Sequence, residues 1–208
     1  MTHPPRQDRS ASCAVVLAFC AWAGAAYAGV PADARPIALP RETADRWRAE
    51  GRVVCLPAPA DGLGLCLAQR SMGEQRWVSP ELLASWRVDE VRAFEVLTRR
   101  AAKKLARAGE WRSIDEMDRR YWLAADGSGW AAAALVCPTA LRELLGGAEV
   151  RLAAPNYDVV VAWAAGDYDF DLVMAVGVRD MYEQQPLPMS PTVLSWTGAR
   201  WAAWADVR

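Results

Sequence analysis

The feature that most limits what this chain can fold into is a repeated pairing of short apolar runs across turn chemistry. Arg120–Ala125 and Trp130–Val136 flank Asp126-Gly-Ser-Gly129. Glu149–Ala154 and Asp158–Ala164 flank Pro155-Asn-Tyr157. Thr192–Trp196 and Arg200–Ala205 flank Thr197-Gly198. Asn, Asp and Gly between apolar runs supply the backbone conformations of tight hairpins. Further strands are predicted near 52–56, 64–69 and 75–78.

Helices are predicted between these runs. One covers 42–50 and ends at Gly51. Ser79-Pro80-Glu81 has an N-cap, a first-turn proline and an acid at the positive end of the dipole, and so opens another. A second start at Asp89-Glu90 opens residues 90–108, which place Val91, Phe94, Leu97, Ala101, Leu105 and Ala108 on one side and six cations on the other. Ser113-Ile-Asp-Glu116 fits a capping box and predicts a short helical turn. Pro138–Leu145 reads as a helix closed by Gly146-Gly147. A last helix runs from Asp167 or Asp169 to about Glu183, before Pro186 and Pro188. Hairpins alternating with helices imply antiparallel pairing rather than βαβ units. The expected fold is α+β: a mainly antiparallel twisted sheet built from hairpins, with helices packed on one face.

Ahead of this pattern stands Ala14–Ala28, a run without charge. It follows Arg6 and Arg9 and ends in Ala26-Tyr27-Ala28. It is too short to cross a bilayer. A basic end, an apolar middle and a small-x-small exit are the parts of a secretory signal peptide, with cleavage expected after Ala28. Residues 1–28 are therefore the signal and 29–40, rich in proline, an extended lead-in. Residues 41–208 form a single α+β domain, and no transmembrane segment is expected in the mature chain. The protein is expected to be periplasmic or secreted.

Removing Arg6, Arg9 and Asp8 from 24 basic and 25 acidic side chains leaves 22 and 24. A charge this near balance does not point to nucleic acid. The single histidine is His3, within the predicted signal. Its loss excludes Ser-His-Asp and Cys-His catalysis and every histidine-containing zinc site from the mature chain. Cys55, Cys66 and Cys137 remain, fewer than the four ligands of a structural zinc site, and no metal or other cofactor is expected. A four-residue loop at Pro59–Gly62 sets Cys55 opposite Cys66. In an oxidising compartment the two are either a disulfide or a pair of small buried side chains.

No catalytic residue is assigned. Asp167-Tyr-Asp-Phe-Asp171 opens like a calcium loop, but Leu172 and Val178 stand where Gly and Glu are needed. Ten tryptophans remain after residue 28. Trp196, Trp201 and Trp204 on the last hairpin are candidate binding residues, because terminal edge strands are often half exposed. The bland reading is core packing.

Three segments carry a resemblance: Ser79-Pro-Glu-Leu-Leu-Ala-Ser-Trp-Arg-Val-Asp-Glu90, Ala132-Ala-Ala-Leu-Val-Cys-Pro138 and Ala153-Ala-Pro-Asn-Tyr-Asp-Val-Val-Val-Ala162. Over about residues 79–205 the chain resembles the YtpQ-like bacterial family of unknown function. The resemblance implies a strand and following helix at 132–145 and a hairpin at 153–162. Tyr157 stands where that family usually has arginine. If that arginine binds a partner, this chain has lost the contact; Tyr157 and Asp158 are the candidate binding positions of this segment. The expected function is a non-catalytic exported domain that binds a protein or polymer of the bacterial envelope. The alternative is a carboxylate-dependent envelope hydrolase, which needs the acids of 115–118 and 167–171 to converge in a pocket.

Overall fold

The computed structural model describes residues 29–57, 60–71, 74–105, 107, 111–125, 131–184, 186 and 188–206. The predicted signal peptide, most of its cleavage site and the Asp126–Gly129 turn lie outside the described residues. Pairing is antiparallel between all the named strands, and the α+β class expected from the sequence is the class observed. The expectation of one sheet with helices on one face gives way to two sheets, with helices on both faces.

The first sheet holds β1 (Ala34–Pro40), β3 (Leu63–Ser71), β2 (Cys55–Pro57) and β4 (Glu74–Trp77). β1 lines one side of β3, while β2 and β4 share the other side end to end. The second sheet has six strands in the order β10-β9-β7-β8-β6-β5. These are β5 (Arg112–Glu116), β6 (Arg119–Ala125), β7 (Val150–Ala153), β8 (Val159–Ala164), β9 (Thr192–Trp196) and β10 (Trp201–Asp206).

Helix α1 (Arg41–Ala49) covers the outer face of the first sheet, where Ala44 and Trp47 pack with Cys55, Cys66 and Trp77. The approach is close: a Cβ on Gly64 would lie 2.4 Å from that of Ala44. Helices α2 (Pro80–Ser85), α3 (Glu90–Leu105), α4 (Ala131–Val136) and α5 (Pro138–Leu144) contribute to a core fed by both sheets. There Phe94, Leu97, Leu135 and Leu141 meet Leu65 and Leu67 of one sheet and Leu152 and Leu194 of the other. Helix α6 (Tyr168–Gln184) lies on the far face of the second sheet, burying Phe170, Met174 and Val178 against Val161, Trp163 and Val193. Each such apolar side chain stabilises by about 1.5–3 kcal/mol.

Local chemistry set many boundaries as expected. Ser79 Oγ accepts from Leu82 N at 3.3 Å, and Asp89 Oδ1 from Arg92 N at 2.7 Å. Gly51, Gly146 and Gly147 take positive φ where the helices stop.

Four local expectations fail. Residues 34–40 are a strand of the first sheet, not a lead-in. Pro36 is tolerated because β1 is an edge strand, where a missing N–H costs no ladder bond. Ser113–Glu116 is strand β5, not a helical turn. Its hairpin with β6 turns at Met117 and Asp118, both at positive φ (51° and 58°), the signature of a two-residue type I′ turn. Residues 131–136 form a helix, not a strand: the alanine run carries the highest helix propensity, and β6 already pairs with β5 and β8. Val91 is exposed rather than on the buried side of α3, where Ala93 and Val96 pack instead.

Cys55 and Cys66 are register partners, as the loop length predicts, and of the two alternatives they form the disulfide. The bond closes a short loop within one hairpin. Replacing both cysteines by alanine is expected to lower the unfolding free energy by about 2–4 kcal/mol. Urea melts of the wild type and the double variant, with the m-values compared, check this.

Candidate functional site

The acids of the alternative reading go to separate duties. Asp115 pairs with Arg120 at 2.7 Å, and that hydrogen bond holds its carboxyl below the usual range. Asp167 caps α6 by accepting from Phe170 N at 3.1 Å. It also takes two bonds from Arg119, at 2.7 and 2.9 Å. The Phe170 amide and the Arg119 guanidinium lower its pKa. Asp169 is exposed. Asp171 is 2% exposed, accepting from Trp163 Nε1 at 2.7 Å and pairing with Arg151 Nε at 3.3 Å. Arg119 draws the two acidic segments together, but it does so by neutralising Asp167. Among the described residues no group of three or more His, Cys, Asp or Glu side chains is placed to hold a metal ion.

The cationic side of α3 is largely engaged within the chain. Arg92 pairs with Glu95 at 3.0 Å, Arg100 donates to the carbonyls of Val30 and Pro31, and Arg99 and Lys104 also have partners.

Tyr157 and Asp158 lie together in the β7–β8 turn, where the two sheets meet. The Tyr157 hydroxyl donates to Gln75 Oε1, which also accepts from Arg35 Nη2 at 3.2 Å. Arg35 belongs to β1 and Gln75 to β4, so the contact ties the first sheet to the second. Asn156 Oδ1 accepts from the amides of Asp158 and Val159, both at 3.0 Å, and fixes the turn. Arg35 Nε and Asp158 Oδ1 are buried without a partner among the described residues. These two sequence-predicted positions thus form a half-buried joint rather than an open surface.

Burial pushes the Tyr157 pKa up from 10.0; nearby Arg35 opposes the shift and Asp158 reinforces it. The raised value means that the folded protein keeps this proton when the unfolded chain has lost it. Stability from the joint is then complete below pH 10 and falls as pH rises toward the folded pKa. Tyr157→Phe is expected to flatten that alkaline loss and to lower stability at neutral pH by about 1 kcal/mol. Urea melts across the alkaline range, with tyrosinate absorbance followed in parallel, read both effects.

The three candidate tryptophans separate. Trp201 is fully buried and donates Nε1 to Leu135 O at 3.1 Å. The expectation of a half-exposed terminal strand fails there because the loop at 60–61 covers β10. Asp61 N donates to Trp201 O at 3.1 Å, and Asp61 Oδ2 accepts from Ala203 N at 3.0 Å. Trp196 packs edge-on to Trp201 with centroids 5.3 Å apart, on the same inner face. Trp204 is different: it sits on the outer face, partly exposed, beside α6.

Beneath Trp204 lies a fixed support. Arg151 is held by Asp171 and by Ser195 Oγ at 2.6 Å, with its guanidinium carbon 4.8 Å from the Trp204 ring centroid. Trp204 in turn meets Tyr168 edge-on at 6.5 Å. From Tyr168 the exposed apolar surface continues along α6 through Leu172, Val173 and Val176, each between 42 and 68% exposed.

Compared with family models, curated proteins and solved structures, the chain matches none. The surface itself therefore carries the functional argument.

Sequence reasoning passed over the α6 residues, although a signal was present. Residues 168–184 carry apolar side chains on every side. A helix apolar all round is ordinarily covered all round. Here the sheet buries Phe170, Met174, Ala175 and Val178, with Met181 partly buried beside them.

Proposed function

We propose that this protein is a non-catalytic, exported domain of the bacterial envelope that binds a protein partner through Trp204, Tyr168 and the outer side of α6. One observation carries the reading: four of the exposed large apolar side chains, Tyr168, Leu172, Val173 and Val176, share one helix face that, beyond the edge-on contact of Tyr168 with Trp204, no described residue covers. Contiguous exposed apolar surface marks interaction sites in soluble proteins. Trp and Tyr supply large contact area with little loss of rotamer freedom. The held Arg151–Asp171 pair keeps Trp204 in place before any partner arrives, which lowers the entropic cost of binding.

Export rests on the N-terminal pattern, and the Cys55–Cys66 disulfide supports an oxidising compartment. No described helix is long and apolar enough to cross a membrane. Mass spectrometry of the protein recovered after expression in a bacterium is expected to find Gly29 at the N-terminus. An intact Met1 on protein retained in the cytoplasm defeats the export reading.

Kinship with the YtpQ-like family is part of the proposal. The helix start at Ser79 and the turn at Pro155–Asp158 support it, whereas 132–136 is helical where that family has a strand. The hydrolase alternative has no supporting observation, because its acids are paired with arginines or exposed singly.

The surface is tested by placing a photo-crosslinking residue at Leu172 or Val176 of the exported protein in cells, with Val91 as an exposed apolar control on α3. Adducts are expected at the two α6 positions and not at the control. No adduct at either α6 position removes the reading.

A further inference from the structure

The outer side of α6 has a pattern beyond being apolar. Asp169, Leu172, Val176, Arg179 and Glu183 follow one another at spacings of three, four, three and four residues, the seam of a coiled coil. Leu172 and Val176 form its apolar centre. Asp169 lies at one end and Arg179 at the other. Asp169 is exposed, and the Arg179 side chain is 42% exposed. Arg179 has only a distant carboxylate within its own helix, Glu183 at 3.9 Å, and its Nε makes no hydrogen bond among the described residues.

We infer that the partner seated on this face is a second copy of the chain, with the two α6 helices packed antiparallel about a twofold axis between Leu172 and Val176. The inference rests on the binding reading above and names its occupant.

The charges select this arrangement. About a midpoint near residue 174, Leu172 faces Val176 of the second copy and Asp169 faces its Arg179, twice over by symmetry. A parallel pair would set Asp169 on Asp169 and Arg179 on Arg179, which like-charge repulsion disfavours. One helix of this length presents less than the roughly 800 Å² per partner of a standard interface. The dimer is accordingly weak and concentration-dependent, with Tyr168 and Trp204 flanking the seam.

Sedimentation of the protein purified after export tests this. The mean mass is expected to rise from monomer toward dimer with concentration. Leu172→Glu is expected to hold the chain monomeric while leaving its circular dichroism unchanged. Asp169→Arg or Arg179→Asp alone is expected to weaken dimerisation about tenfold. Mixing those two single variants is expected to restore it, as is combining both changes in one chain. The mixture also serves as a folding control, since only folded partners can rescue each other.

A wild type that stays monomeric at every concentration, or a dimer untouched by Leu172→Glu, overturns the inference. So does failure of the mixed variants to recover. The mass of the crosslinked adduct separates the two readings. An adduct at Leu172 of any mass other than twice the chain overturns the second copy and leaves the binding surface standing. The absence of any adduct removes both.

Discussion

Replacing Asp171 by alanine is expected to lower the unfolding free energy by about 3–5 kcal/mol, among the largest single effects in this protein. Its carboxylate is 2% exposed and satisfies two groups at once: the Trp163 indole N–H at 2.7 Å and Arg151 Nε at 3.3 Å. Without it, a nearly buried guanidinium keeps only Ser195 and the Trp204 ring, and a fully buried indole donor has no acceptor. Uncompensated buried charge is the dominant cost. The double variant Asp171→Ala with Arg151→Met is therefore expected to regain part of the loss, because it removes the stranded cation. The change should also disturb the proposed binding surface, since Arg151 holds Trp204. Urea melts read the stability, and near-ultraviolet circular dichroism reads the Trp204 environment. A loss below about 1 kcal/mol would mean that the pair contributes no more than a surface ion pair.

Trp201→Ala is expected to cost a similar 3–5 kcal/mol. The indole is fully buried between the β9–β10 hairpin and α4, and its removal opens a cavity and leaves Leu135 O without its donor. Trp201→Phe keeps most of the volume and should lose only about 1–2 kcal/mol, chiefly the hydrogen bond. Trp204→Ala, on the outer face, should cost clearly less than Trp201→Ala while weakening any contact made through α6. Equal losses for Trp201 and Trp204 would show that the two tryptophans do not divide between core and surface in solution. Urea melts of the three variants, with m-values compared, make the distinction.

Much of the fold was legible in the sequence because it depends on residues a few positions apart. Ser79 and Asp89 cap helices through side chains that reach three residues ahead. Gly51, Gly146 and Gly147 end helices at positive φ, and Pro155–Tyr157 and Thr197-Gly198 turn hairpins. That Cys55 faces Cys66 follows from loop length, although the bond between them does not. These determinants are local, so the chain declares them without its neighbours.

The tertiary structure decided the rest, for a physical reason in each case. Residues 131–136 are apolar without a helical or a strand period, and Ser113–Glu116 fits a cap as well as a strand; only pairing elsewhere chose between the states. Residues 34–40 became a strand because β3 offered an edge that accepts proline. Trp201 was buried by Asp61, 140 positions earlier in the chain, and Tyr157 was drawn into a joint with Arg35 and Gln75 of the other sheet. The same holds for the candidate site. That α6 carries apolar side chains on every side is written in its residues, but which of them are covered depends on the sheet it meets. The sheet takes Phe170, Met174 and Val178 and leaves Leu172 and Val176 to water. Burial is a property of contacts between distant segments, so a sequence states what must be covered and the packed structure states what is.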